Sequence, residues 1–337
     1  MQILQNISLK PYNTFGIDLP AEYFAELSDA ELLPSITNDS SLPSKKGILG
    51  GGSNILLTKP VGGLLLHNRL QGIELLKENS DHVWLKVSSG EIWHSFVMHA
   101  ISHDWAGVEN LALIPGTVGA SPMQNIGAYG VEAKETIESV TFWHWQEKAF
   151  ITYSNEECRF GYRDSIFKHE LKDKVFITSV TFRLSKKPAF NTSYGAITQQ
   201  LEKMNVSELS IRAIADAVIA IRSSKLPDPK EIGNAGSFFK NPTISKEHYT
   251  ALLGKYPDMP SYPVSDTLVK VPAGWLIEKK DWKGKRFGDA GVHAKQALVL
   301  VNYGNANGGE IWDLSGKILA SIKETFGIEL EREVQVW

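Results

Sequence analysis

The sequence predicts an α+β fold that is divided between more than one domain. The chain has 337 residues, whereas a single hydrophobic core stops growing at roughly 250 to 300 residues. Segments with the two-residue alternation of β-strands, such as residues 139–145 and 175–184, are mixed with apolar stripes at helical spacing. Two glycine-rich segments lie between such elements, and neither fits a regular helix.

Three helices are predicted from apolar residues that recur every three or four positions. Their buried faces are expected to carry Trp93, Phe96, Val97, Ala100 and Ile101 in the first, Ile211, Ile214, Ala215, Val218 and Ile221 in the second, and Ile311, Leu314, Ile318, Leu319 and Ile322 in the third. Short strands are expected at 47–49 and 55–57, on either side of the first glycine cluster. The alternation of residues 328–336 predicts a final strand with one apolar and one acidic face.

Charge, hydropathy and cysteine content exclude several classes of protein. Thirty-five basic and 38 acidic residues give a net charge of −3, which supplies no field to attract nucleic acid, and no apolar run is long enough to cross a membrane. We therefore expect neither nucleic acid nor a membrane as a partner, and we expect a monomer. Cys158 is the only cysteine and the first residues do not resemble a secretion signal, so the sequence predicts a cytoplasmic protein.

The two glycine clusters are the strongest candidates for a binding site. GGGSN at 50–54 could bind a phosphate through backbone N–H groups, or it could be a tight turn, since it matches neither the dinucleotide fingerprint nor the phosphate-loop motif. The second cluster, at 114–130, combines four glycines with Gln124 and Asn125, whose amides both donate and accept hydrogen bonds. A loop of this length and composition favours ligand binding over a plain connection.

Three histidines raise the question of a metal site. His94, His99 and His103 lie close together in the sequence, but only the last two are four residues apart and no acidic residue completes a zinc motif. The polar face of a helix explains them better, and no metal is expected.

Three further residues have a structural interpretation when they are considered alone. Arg163 could bind a carboxylate through two hydrogen bonds, but a structural salt bridge to Asp164 or another acidic neighbour is the favoured interpretation of this residue alone. Ser237, in GNAGSFFKNP at 233–242, could cap a turn, and Glu333 could be a solvated charge on an edge strand.

Eight segments taken together resemble the UDP-N-acetylenolpyruvoylglucosamine reductase family. They are NTFGI, LGGGSNILL, IPGTVGASPMQNIGAYG, CRFGYRDSIFK, KLPDPKEIGNAGSFFKNP, AGWLIE, HAKQALVLVN and LEREV, and they follow the family order over nearly the whole chain. The resemblance implies a flavoenzyme that uses NADPH to reduce the enolpyruvyl ether of UDP-N-acetylglucosamine to UDP-N-acetylmuramate, a precursor of peptidoglycan. It also implies an FAD-binding fold of the vanillyl-alcohol oxidase type. Two subdomains, 1–66 with the strand 329–337 and 67–225, would bind FAD, and a separate α+β domain at 226–328 would bind substrate.

The resemblance also implies a role for each residue that occupies a functional position of the family motifs. The resemblance implies that flavin N5 gives a hydride to the vinyl carbon, that Arg163 and Glu333 stabilise the resulting enolate, and that Ser237 donates the final proton. FAD is expected at Gly50, Gly51, Gly52, Ser53, Asn54, Pro115, Gly116, Thr117, Gln124, Asn125, Gly127, Ile177 and Arg222. The UDP-sugar is expected at Tyr162, Tyr194, Lys225, Asn241, Lys270 and Gln296. Lys225 would also lie near NADPH, and Tyr194 belongs to a loop of the longer family type that closes over substrate.

Two departures and two rival interpretations accompany the resemblance. Gln335 stands where relatives often carry arginine, and only three residues follow Val334, which puts one cofactor contact in doubt. A flavoprotein oxidase of the same superfamily would react readily with oxygen. A UDP-sugar-binding protein that keeps the fold would be colourless.

Overall fold

The chain forms two compact units in a computed structural model that describes residues 1–337. Unit 1 consists of residues 1–7, 21–51 and 62–224, and unit 2 consists of residues 8–20, 52–61 and 225–337. The division between residues 224 and 225 lies next to the expected start of the substrate domain. The separation of FAD-binding subdomains at residue 66 stays a prediction.

The secondary structure mixes short strands with seven α-helices. The strands are β1 (Leu4–Ser8), β2 (Pro20–Leu27), β3 (Lys46–Leu49), β4 (Ile55–Leu56), β5 (Val61–Asn68), β6 (Ile73–Glu78), β7 (His82–Ser88), β8 (Gly127–Ala128), β9 (Val131–Glu132), β10 (Ile137–His144), β11 (Ala149–Ser154), β12 (Val175–Ser185), β13 (Gly233–Ser237), β14 (Thr243–Ser245), β15 (Tyr262–Pro263), β16 (Leu268–Lys270), β17 (Arg286–Phe287), β18 (Ala290–Val292), β19 (Val299–Asn302) and β20 (Gln335–Val336). The helices are α1 (Leu33–Asn38), α2 (Trp93–Ser102), α3 (Gly195–Lys203), α4 (Ile211–Lys225), α5 (Lys246–Leu253), α6 (Ala273–Lys279) and α7 (Gly308–Phe326). The predicted strands β3 and β4 are confirmed. None of these helices has the length and apolarity needed to cross a membrane.

Unit 1 is built on two sheets. One has five antiparallel strands in the order β11-β10-β12-β7-β6, and the other has the order β1-β2-β5-β3, in which β3 and β5 are parallel. Helices α2 and α4 contribute to the same apolar core as the five-stranded sheet. All ten residues predicted for the buried faces of these two helices are buried, so both predictions are confirmed.

Unit 2 combines small antiparallel sheets with the long helix α7. Its larger sheet has the order β13-β19-β18-β17, and a second sheet has the order β14-β16-β15. The predicted face of α7 is confirmed for Ile311, Leu314, Ile318 and Ile322, which are all buried. Leu319 is only half-buried. It directly follows Ile318 and therefore lies on the flank of the apolar stripe.

The predicted C-terminal strand is wrong as one continuous element, because its backbone changes partners along its length. Residues 331–333 pair with 238–240, through hydrogen bonds from Lys240 N–H to Glu331 C=O and from Glu333 N–H to Phe238 C=O. The parallel pair β20-β4 begins only at residue 335. The predicted apolar face is accordingly buried at 328, 330 and 334, whereas Val336 is exposed.

A buried asparagine holds together the loops of unit 2. The Asn302 Nδ2 atom donates to the carbonyl oxygens of Phe15 at 2.9 Å and Ala306 at 3.2 Å. Its Oδ1 atom accepts from the N–H groups of Gly304 and Ala306, both at 2.9 Å. One side chain thus satisfies four backbone groups that would otherwise lose hydrogen bonds on burial.

Replacement of Asn302 with alanine is expected to reduce the free energy of unfolding by about 2–4 kcal/mol, because buried backbone groups lose their partners. Asn305→Ala is the matched control, since the Asn305 side chain is exposed and bonds only Asp289, at 3.1 Å. Its cost should stay below about 1 kcal/mol. Urea unfolding followed by tryptophan fluorescence measures both. Equal losses in the two variants would contradict the assigned role of Asn302.

Candidate active site

The backbone of the second glycine cluster is paired with the segment that leads into α2. Trp93 N–H donates to Gly116 C=O at 3.0 Å, Val118 N–H donates to Glu91 C=O at 2.8 Å, and Gly119 N–H donates to Ser89 C=O at 2.8 Å. A Cβ on residue 119 would lie 2.6 Å from the Ser89 Cβ, so only glycine permits this approach. Residues 116–119 of the cluster therefore run antiparallel to residues 89–93, as a short strand would.

The first glycine cluster contacts the second cluster directly. A Cβ on Gly50 would lie 2.8 Å from the Thr117 Oγ1 atom, and a Cβ on Gly51 would lie 3.0 Å from the Gly116 Cα atom. Gly51 and Gly116 thus meet backbone to backbone, while the Thr117 side chain packs against Gly50. This arrangement suits the approach of an anionic group, so the residues present fit the pyrophosphate of FAD.

The side chain of Asn125 forms hydrogen bonds mainly with other residues of unit 1. Its Nδ2 atom donates to Glu132 Oε2 and to Gly161 C=O, both at 2.9 Å, and its Oδ1 atom accepts from Lys134 N–H at 3.0 Å. Both amide hydrogens are consequently used within unit 1. Asn125 therefore shapes the loop. Gln124 is half-buried beside it, and Ile177 lies on β12 with 6% exposure.

Arg163 and Arg222 lie on the same side of unit 1. The Arg163 Nη2 atom donates to Gly127 C=O at 2.6 Å, and its guanidinium carbon lies 5.5 Å from the centre of the Tyr162 ring. Burial lowers the pKa of Arg222, and the charge of Arg163 acts in the same direction. The carboxylate of Asp164, the partner considered for Arg163, lies 2.8 Å from His169 Nε2.

Tyr194 packs against the second glycine cluster. Its ring meets that of Tyr129 edge-on, with 5.3 Å between the ring centres. Burial raises the pKa of the Tyr129 phenol, and the positive charge of Arg222 acts in the opposite direction. The Tyr194 loop is attached at its base by Asn110, which donates to the carbonyl oxygens of Asn191 at 2.9 Å and Tyr129 at 3.2 Å. The predicted substrate loop and an expected FAD contact, Arg222, thus share Tyr129.

The backbone pairing of residues 238–240 with 331–333 places Glu333 beside the segment that follows Ser237 in unit 2. Ser237 is the last residue of β13, opposite Val299, and Phe238 accepts the hydrogen bond from Glu333 N–H at 2.8 Å. The turn-capping role considered for Ser237 is wrong. Asn234 closes that turn instead, because its Oδ1 atom accepts from Gly236 N–H at 3.0 Å.

The segment that carries Glu333 is anchored on both sides. The guanidinium carbon of Arg332 lies 3.6 Å from the centre of the Trp312 ring, and Arg332 Nε donates to Ser315 Oγ at 2.7 Å. Glu331 pairs with Lys240 at 2.5 Å, and Asn54 Nδ2 donates to Glu333 C=O at 3.4 Å. These contacts fix the backbone next to Glu333.

Two of the expected substrate-binding side chains meet at the start of α6. Asn241 Oδ1 accepts from Ala273 N–H at 2.9 Å, and Gln296 Oε1 lies 3.5 Å from the position of a Cβ on Gly274. Lys270 lies on β16 opposite Thr243. Lys225 is the exposed last residue of α4.

Sequence reasoning missed several residues that shape the site. Its interpretation of His94 as part of a polar helix face is wrong, because His94 Nδ1 accepts from Leu113 N–H at 3.0 Å. Asn110 and Asn234 were not selected, since single buried asparagines leave no periodic signal. By contrast, His103 is exposed and His99 is half-buried, with their ring centres 4.5 Å apart.

Cys158 begins the segment that leads to Arg163, and burial raises the pKa of its thiol to about 12. Only a minute fraction should be thiolate at about pH 8, so native protein should resist thiol reagents. We expect no modification in buffer and one equivalent after unfolding, as measured by mass spectrometry. Cys158→Ser, which has no thiol, is the control for modification at other residues. Rapid modification of the native protein would contradict this burial.

Comparisons with known proteins identify the family. Residues 45–149 match the model of an FAD binding domain, and residues 228–337 match the model of the UDP-N-acetylenolpyruvoylglucosamine reductase C-terminal domain. The UDP-N-acetylenolpyruvoylglucosamine reductase of Flavobacterium johnsoniae is 52% identical over 337 residues, which cover 100% of both chains.

Solved structures agree with this result. The UDP-N-acetylenolpyruvylglucosamine reductase from Thermus caldophilus is 25% identical and covers 100% of this chain and 98% of its own, with a TM-score of 0.69. A solvent-stable cholesterol oxidase is 10% identical and covers 96% of this chain and 86% of its own, with a TM-score of 0.50, and shows likeness of fold alone. The predicted α+β FAD-binding fold is confirmed. The chain belongs to the UDP-N-acetylenolpyruvoylglucosamine reductase family and is an FAD-dependent oxidoreductase.

Proposed function

We propose that this protein uses NADPH to reduce UDP-N-acetylglucosamine enolpyruvate to UDP-N-acetylmuramate, in the synthesis of peptidoglycan precursors. Family membership supports the overall reaction. The structural observation that carries the proposal is the hydrogen bond from Glu333 N–H to Phe238 C=O, because it places the backbone of an acidic residue beside the residue that follows Ser237.

FAD, when bound, takes a hydride from NADPH and delivers it to the terminal vinyl carbon of the substrate. The backbone of Gly50 and Gly51 with that of Gly116 would hold its pyrophosphate, since Gly51 and Gly116 meet with no side chain between them. Arg222 would contribute a positive charge, and its hydrogen bond to Leu113 C=O keeps that charge in place.

Addition of a hydride to the vinyl carbon leaves negative charge on the neighbouring carbon and its carboxylate. Arg163 would stabilise this enolate, because its guanidinium is always charged and its orientation is fixed by Gly127 C=O. Glu333 would contribute to the same step. The hydroxyl of Ser237 would then give its proton to the carbanionic carbon, which is basic enough to accept it from a weak acid.

The remaining expected contacts serve recognition of the UDP-sugar. Lys225 and Lys270 would pair with its diphosphate, and Asn241 and Gln296 present amides at the start of α6. Tyr162 and Tyr194 are both partly exposed and would cover the bound sugar.

Three properties of the whole protein also belong to this proposal. We place the enzyme in the cytoplasm as a monomer, with small molecules and no nucleic acid as partners. A net charge of −3 supports the last point. The division into FAD-binding parts at 1–66 and 67–225 and a substrate domain at 226–328 is proposed with it.

Anaerobic stopped-flow spectroscopy tests the reaction in two halves. NADPH should bleach the flavin absorbance, and UDP-N-acetylglucosamine enolpyruvate should then restore it with formation of UDP-N-acetylmuramate. A reduced flavin that is unchanged by this substrate but oxidised rapidly by oxygen would favour an oxidase. A colourless protein would favour a UDP-sugar-binding protein.

Ser237→Ala should leave reduction by NADPH unchanged and slow the second half-reaction by about a thousandfold, or about 4 kcal/mol, because the proton donor is lost. Ser265→Ala is the control, since Ser265 lies in an exposed turn of the same unit before β16. Rapid single-turnover measurements with both ligands give the two rates. An unimpaired second half-reaction in Ser237→Ala would remove its proposed role.

Gly51→Ala should weaken FAD binding by about tenfold or more, since its Cβ would press on the Gly116 Cα atom at 3.0 Å. Gly254→Ala is the control, because residue 254 has helical φ of −57° and the nearest contact of a Cβ is 3.5 Å. Flavin absorbance per mole of purified protein measures retention. Equal flavin content in the two variants would argue against the proposed pyrophosphate site.

A further inference from the structure

Leu113 is held from both sides in an uncommon backbone conformation. Its φ of +59° lies in the left-handed region, which residues with a Cβ rarely adopt. Its N–H donates to His94 Nδ1 at 3.0 Å, and its C=O accepts from Arg222 Nε at 3.2 Å. Because Leu113 directly precedes the second glycine cluster at 114–130, this conformation sets the direction in which the cluster continues.

The start of α2 reinforces this arrangement at neighbouring positions. The Trp93 indole Nε1–H donates to Leu111 C=O at 2.9 Å, and the Trp93 backbone N–H donates to Gly116 C=O at 3.0 Å. Residues 93 and 94 thus contact positions 111, 113 and 116. Two adjacent side chains of one helix therefore define the approach to the cluster.

We propose that His94 is a positioning residue for FAD, and that its neutral imidazole keeps the second glycine cluster in the conformation that binds the cofactor. Nδ1 accepts a hydrogen bond only in the neutral ring whose proton is on Nε2. In the protonated ring, Nδ1 carries a hydrogen that opposes the N–H of Leu113. Acidification consequently replaces the hydrogen bond between Leu113 N–H and His94 Nδ1 with a repulsion between two N–H groups, next to the start of the second glycine cluster.

The surroundings of His94 favour its neutral form. Burial, and then the positive charge of Arg222 on α4, lower the pKa of His94 below its ordinary value of 6.5. Arg222 is itself influenced by Tyr129 and Arg163. Since the pKa of His94 is lowered, its imidazole is neutral at neutral pH and accepts the hydrogen bond from Leu113 N–H. This bond is lost as the pH falls through the lowered pKa.

The test measures flavin release from the FAD-loaded protein as a function of pH, by the rise in flavin fluorescence. His94→Asn offers an oxygen acceptor that does not titrate, so its midpoint of release should lie at a lower pH than that of the wild type. His94→Leu has no acceptor, and its Kd for FAD near pH 7.5 should rise by about tenfold, the effect of one lost hydrogen bond. His99→Asn, at a half-buried position of the same helix where the ring contacts His103 and Trp105, should keep the wild-type profile.

Equal midpoints for wild type and His94→Asn, or an unchanged Kd for FAD in His94→Leu, would overturn the inference. Thermal unfolding of the FAD-free variants separates weaker binding from failure to fold, and all should unfold within a few degrees of the wild type. The inference rests on the proposed FAD site but not on the role of Ser237. A wild-type protein that binds no FAD would overturn the proposed function itself.

Discussion

The antiparallel pairing of residues 89–93 with 116–119 is the constraint on which the candidate site of unit 1 depends. It requires glycine at position 119, since a side chain there would collide with Ser89. It also gives the first cluster a backbone surface to contact, through Gly51 and Gly116. A segment with the composition of a long flexible loop therefore forms a layered backbone structure, in which anion-binding N–H groups can be preorganised without the cofactor.

In unit 2 the corresponding constraint is the position of the terminal segment 331–337, which is held next to the residues that follow Ser237. Residues 331–333 pair with one strand and residues 335–337 with another, so the segment cannot slide along either partner. Arg332 adds a contact with Trp312 on α7. An extended strand places successive side chains on opposite faces, so anchoring Arg332 on α7 directs Glu333 to the other face.

Helical periodicity was sufficient to predict α2, α4 and most of α7 from the sequence, because a buried face requires apolar residues at regular spacing. The C-terminal strand could not be predicted correctly, since alternation reveals which residues face inward but not which strand is their partner. Ser237 and Glu333 entered as candidates only through family resemblance. His94 and Asn234 were missed because their roles depend on single hydrogen bonds to the backbone of residues 113 and 236.

The central claim is that the protein itself, and not bound FAD, orders the second glycine cluster. Hydrogen–deuterium exchange of the FAD-free and FAD-bound protein tests it at the amides of Leu113, Val118 and Gly119, whose N–H groups are bonded to His94, Glu91 and Ser89. The account predicts slow exchange at all three amides in both forms. Exchange at the unprotected rate in the FAD-free protein, with protection only after FAD is added, would contradict it.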